Sequence, residues 1–134
     1  QEKNVMGVTV RNVLCDDGGS SFQVRADGLT IYHSGDYSGD LEKDMEYLAS
    51  SQERVDLAFV GIDYPDIVDH TLRRLNPRVI FPMHKRLREV QYEEFKEREG
   101  LKYPQIQFIP VRNRGDRYLY REGKIRQIDL LQKQ

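Results

Sequence analysis

Cysteine is nearly missing from this chain of 134 residues: Cys15 stands alone. No disulfide can form within the chain, and no structural zinc site can be built on cysteine. An excess of charge of either sign is also missing. Lys and Arg number 21 against 22 Asp and Glu, a formal net charge of −1. The broad basic surface of a nucleic-acid or anionic-membrane binder is therefore not expected. No apolar run approaches the ~18 residues that a membrane-spanning helix needs. There is no Gly-x-Ser-x-Gly elbow and no phosphate-binding glycine loop. Asp16-Asp17-Gly18-Gly19-Ser20 has the glycines but reads as a turn. Histidine is sparse, at positions 33, 70 and 84 only.

What remains is a polar globular composition, 38% hydrophobic and 32% charged, of a length that suits one domain over 1–134. Val5 to Cys15 is rich in β-branched residues and predicts a strand with Val8 and Val10 on one face. Phe22 to Arg25 and Leu29 to Tyr32 predict two more, joined at the Asp27-Gly28 turn. The pattern then becomes helical. Leu41, Met45 and Leu48 fall at helix spacing behind Asp40 as N-cap. Asp56 to Ile62 and Arg78 to Phe81 are short apolar runs fit for buried strands. Between them Pro65 to Asn76 predicts a helix with Val68, Leu72 and Leu75 inward and His70 off that stripe. Arg86 to Glu99 predicts a charged helix ended by Gly100, with Lys85-Arg86-Leu87-Arg88 as its solvated start. Ile106 to Val111 and Tyr118 to Ile128 predict late strands, the second turning at Glu122-Gly123. The class is mixed α/β.

Asp36 and His84 each follow the end of a predicted strand. If those strands are neighbours, both side chains meet at one rim, where open α/β sheets place ligands. Carboxylate with imidazole is a donor set for zinc, iron or manganese. The plainer reading is a turn or cap aspartate and a core or cap histidine. Asp63 follows a third strand and falls at the same rim, either orienting His84 or capping the helix at Pro65.

The segments GLTIYHSGD (28–36), VDLAFVGI (55–62) and HTLRRLNPRVIFPMH (70–84) resemble the second half of a metallo-β-lactamase-fold hydrolase, nearest the lactonase-like branch. The resemblance covers about residues 5 to 110. It implies that Asp36 and His84 are metal ligands, at the positions where that family has its glycine–aspartate and proline-x-histidine strand ends. It also implies a metal-bound hydroxide that attacks an ester, lactone or phosphoester. The family's His-x-His-x-Asp-His loop has no counterpart here, and no histidine lies near the strand VRNVLCDDGG. Cys15, Asp16 or Asp17 are the stand-in donors at that strand. His33 lies three residues before Asp36, an odd offset that turns it to the other face of a straight strand. It is read as a residue supporting the ligands rather than a ligand. Two ligands fall short of the three that a catalytic zinc normally has, so a partial zinc, iron or manganese site and no metal at all are both open.

The family fold is an αββα sandwich of two similar halves, and this chain resembles one half, a mixed sheet with helices on one face. Val8, Val10, Phe22, Val24, Ile31, Phe59 and Ile80 are then expected on a bare inner face. A second copy packed through a two-fold axis, or a complementary half-domain, would cover it. Two functional readings follow. One is a metal-dependent hydrolase-like half, with a metal site incomplete within this chain. The other is a non-catalytic α/β assembly or binding module that kept the fold. The first residue, Gln1, suits an exported mature chain and a cytoplasmic one alike, and leaves compartment open.

Overall fold

The computed structural model describes residues 1–14, 19–36, 39–85 and 87–128. Cys15, Asp16 and Asp17 lie outside the described residues, as does Arg86 of the basic stretch. A seven-stranded mixed sheet runs in the chain order β1-β2-β3-β4-β5-β6-β7. The strands are β1 Glu2–Val5, β2 Val8–Leu14, β3 Ser20–Ala26, β4 Leu29–His33, β5 Leu57–Gly61, β6 Val79–Met83 and β7 Gln107–Phe108. The first four pair antiparallel and β4 to β7 pair parallel. A separate hairpin, β8 Arg117–Arg121 and β9 Lys124–Ile128, completes the strands. No helix among the described residues is long and apolar enough to cross a membrane.

Parallel pairing requires crossovers, and helices supply them. Helix α1 (Leu41–Ala49) starts at Asp40, whose carboxylate accepts from Lys43 N–H at 3.3 Å. Such a cap is worth ~1 kcal/mol. Helix α2 (Pro65–His70) opens with Pro65 at N1 and runs on as a π-helical turn, Thr71–Leu75, closed by Asn76 at φ +41°. Helix α3 (Val90–Lys102) begins later than its charge pattern predicts and runs through Gly100. Gly100 lies inside the helix, where a Cβ would make only an ordinary 3.9 Å contact with the Phe108 ring, so it does not stop the helix.

One face of the sheet meets the helices. The register row Gln23–Tyr32–Ala58–Ile80–Phe108 lies on it, and Tyr32, Ala58 and Ile80 are buried against Met45, Leu48, Ile67, Leu72 and Phe95. The other face carries the rows Val10–Val24–Ile31–Leu57–Val79 and Asn12–Phe22–His33–Phe59–Phe81. Over β6 this face is covered by the hairpin. Tyr118 sits edge-on to Phe81 at 5.4 Å, and Tyr120 donates to Asp56 Oδ1 at 2.6 Å. Over β2 and β3 it carries no cover among the described residues, and Phe22 is 41% exposed.

Two expectations are corrected here. Ile80 points into the helix layer at 1% exposure and Phe81 takes the opposite face. A strand buried on both sides shows no alternation that would reveal which residue points where. The strand drawn from Val5 onward is two strands, because Met6 and Gly7 turn at φ +52° and +86° and send β1 back along β2.

Candidate metal centre

Strands β4, β5 and β6 run parallel, so their C-terminal ends share one rim. Past β4 the chain turns at Ser34-Gly35-Asp36. Ser34 is fully buried and its backbone continues the ladder by donating to Phe59 O at 2.9 Å. Its hydroxyl accepts from Gly61 N–H at 3.0 Å and donates to Gly35 O at 3.1 Å, tying the ends of β4 and β5 together. Gly35 has φ +57°, and a Cβ there would meet Ser20 O at 2.1 Å. Only glycine fits that close backbone approach. The turn carries Asp36 out to the rim.

His84 arrives from β6. Its backbone has φ +76°, a left-handed conformation that costs a non-glycine residue ~1–3 kcal/mol. The imidazole Nδ1 stands 3.2 Å from Asp36 Oδ1, with the imidazole partly and the carboxylate largely open to solvent. The ring lies over Gly61 at the end of the intervening strand. His33 is close by on the open sheet face, where it stacks 6.2 Å from Phe59. Its Nδ1 accepts the Gly35 N–H at 3.0 Å. Partial burial and the neighbouring His84 hold the His33 imidazole below its ordinary value, with Asp36 pulling the other way. A His33 kept neutral at neutral pH is consistent with its role as acceptor for the Gly35 amide.

Asp63 is elsewhere engaged. It forms an ion pair with Lys85, the residue after His84, and the helix cap position belongs to Tyr64. His70 lies at the junction of α2 and its π turn, in a surface hollow with Glu42, Asp69, Arg73 and Arg74. The structure thus brings Asp36, His84 and His33 to one rim, with Asp63 beside it on Lys85. Sequence reasoning missed Ser34, Gly61 and Lys85, which position the two strand ends. No spacing rule marks a serine that bridges two strand ends. A glycine closing an apolar strand is the one signal that could have drawn attention to Gly61.

The donor set is short for a resident metal. Among the described residues no group of three or more His, Cys, Asp or Glu could hold an ion. Asp36 and His84 are two donors, and the His33 Nδ1 lone pair is already used by Gly35. A catalytic zinc normally takes three protein ligands.

No protein-family model and no curated protein matches the chain. Among solved structures it is similar to a protein from Thermotoga maritima provisionally assigned as a Zn-dependent hydrolase of the metallo-β-lactamase superfamily. The identity is 23% and the TM-score 0.45, over 63% of this chain and 45% of that one. The chain therefore spans under half the length of that protein.

Proposed function

We propose that this chain is a half of a metallo-β-lactamase-like hydrolase domain that supplies Asp36 and His84 to a metal centre. The remaining donors come from outside the described residues. The observation that carries this reading is the meeting of a carboxylate and an imidazole from two non-adjacent strand ends, at 3.2 Å, with His84 held in a strained backbone conformation. Strain of this kind gathers at functional positions. The sequence segments that resemble the hydrolase family end at these same two residues.

The bare part of the inner face supports a cover in the working protein. Val8, Val10, Val24 and Ile31 are partly exposed beside Phe22. A second copy of this chain, seated face to face, is the cover proposed here, and a complementary half-domain is the competing one.

Cobalt(II) titration followed by visible absorption tests the metal reading. Wild type is expected to take up cobalt with a spectrum typical of low coordination number. Asp36→Ala and His84→Ala are each expected to weaken uptake by more than about tenfold, since even residues that only orient ligands cost 10–100-fold. Equal uptake by wild type and both variants would sink the reading. No uptake by any of them would favour the non-catalytic assembly module.

A further inference from the structure

Beside the rim, a cleft of ≈ 320 Å³ opens between the ends of β5 and β6 and the segment after β7. That volume is at the small end of the range for small-molecule sites. Its apolar walls are Phe59, Phe81, Met83 and Val111, and polar side chains, Asn113 among them, complete the lining. Phe59 and Phe81 stack nearly parallel, with ring centres 5.1 Å apart and planes 13° from each other. Tyr118 closes the far side of Phe81 edge-on. Phe59 is only half-buried, and since its two faces are turned to Phe81 and to His33, it offers the opening its ring edge.

The cleft and the rim are built from the same strand ends. Met83 directly precedes His84 and pairs in register with Gly61. Tyr92 lines the cleft and its hydroxyl accepts the Lys85 N–H at 3.0 Å, fixing the backbone just past His84. Charges at the mouth do not select an ion of one sign. The Arg112 guanidinium is taken up by Glu93, 2.7 Å from its Nε, and the remaining two charges, Glu89 and Arg114, are opposite.

We infer that this cleft takes a single, uncharged aromatic ring, as the aryl group of the molecule acted on at the Asp36–His84 rim. The inference rests on the proposed function for the words "acted on", and on the cleft alone for the ring. A planar ring can set its face against the edges of Phe59 and Phe81, an edge-to-face contact that an aliphatic ring of equal size lacks. The volume admits one ring and a short linker, and no charged group has to be buried with it.

Phenylacetamide, cyclohexylacetamide and acetamide serve as probes, with binding mapped by backbone amide NMR shifts on the intact chain. Phenylacetamide is expected to shift Phe59, Met83 and Val111, cyclohexylacetamide to bind several-fold more weakly, and acetamide to leave them in place. Val111→Trp, which fills the cleft from a partly exposed loop position, is expected to weaken phenylacetamide about tenfold or more, with the melting temperature as a check on folding. Shifts spread over Val10, Phe22 and Val24, equal binding of the two rings, or undiminished binding by a folded Val111→Trp would each overturn the inference. Failure of the metal reading looks different: cobalt uptake is then insensitive to Asp36→Ala and His84→Ala while the phenylacetamide shifts persist.

Discussion

His84 and Asp36 approach to 3.2 Å although they leave strands that are not neighbours. Strand β5 lies between β4 and β6, and it ends at Gly61. A Cβ at Gly61 would sit 3.5 Å from His84 Cγ and 3.7 Å from Ser34 Oγ. Both distances are ordinary van der Waals contact, so one methyl group fits and a branched side chain does not. Gly61→Ala is expected to keep cobalt uptake near that of wild type. Gly61→Val is expected to push the imidazole off Asp36 and weaken uptake as much as His84→Ala does. The titration series over the three variants decides it, and a Gly61→Val protein that binds like wild type would show that the pair does not depend on this clearance.

The left-handed backbone at His84 yields a second test, on stability. Alanine at position 84 keeps the strained φ of +76° while losing the ring, whereas glycine adopts that φ freely. His84→Gly is expected to be more stable than His84→Ala by ~1 kcal/mol, measured by urea unfolding. A stability order of Ala above Gly would mean that the loop relaxes once the imidazole is gone.

Tyr120 links the late hairpin to the sheet and carries a pH dependence. Burial, with the Asp56 carboxylate that its hydroxyl meets at 2.6 Å, pushes the phenol up to about 12. The folded value lies above the ordinary 10, so the fold favours the protonated phenol. Its contribution is complete below pH 10 and is lost as pH rises toward 12. Tyr120→Phe is expected to lose about 1 kcal/mol at neutral pH. It is also expected to flatten the fall in stability above pH 10. Parallel alkaline limbs for the two proteins would place the titration elsewhere.

The parts of this structure that were legible in the sequence are those governed by local periodicity. Helix α1 keeps its Asp40 cap and its buried Met45 and Leu48, and the turns at Asp27-Gly28 and Glu122-Gly123 fall where their residues put them. The rim was legible because parallel strands place their C-terminal ends together, which follows from the alternation of strand and helix. Three features were not. Ile80 and Phe81 could not be assigned to faces because both sides of β6 are covered, one by helices and one by the hairpin. The turn at Met6 requires a positive φ from a residue that seldom adopts one, so nothing local announced β1. The partnership of Ser34 with Gly61, and of Asp63 with Lys85, depends on which strand ends lie side by side, and so on the fold as a whole.

The open face over β2 and β3 leads to the last test. Phe22, 41% exposed, stands in the same row as His33 and Phe59. It is flanked by the partly exposed Val10 and Val24. Such a patch is unusual on a soluble monomer, and a two-fold contact would bury it on both copies at once. Sedimentation equilibrium of wild type is expected to give twice the chain mass. Phe22→Asp puts a charge into the centre of the proposed contact, where each copy would meet the other's carboxylate near the axis, and is expected to give the single chain mass with an unchanged circular dichroism spectrum. A compact wild-type monomer would remove the second copy as the cover and leave a complementary half-domain in its place. A Phe22→Asp protein that stays dimeric would move the contact to another surface.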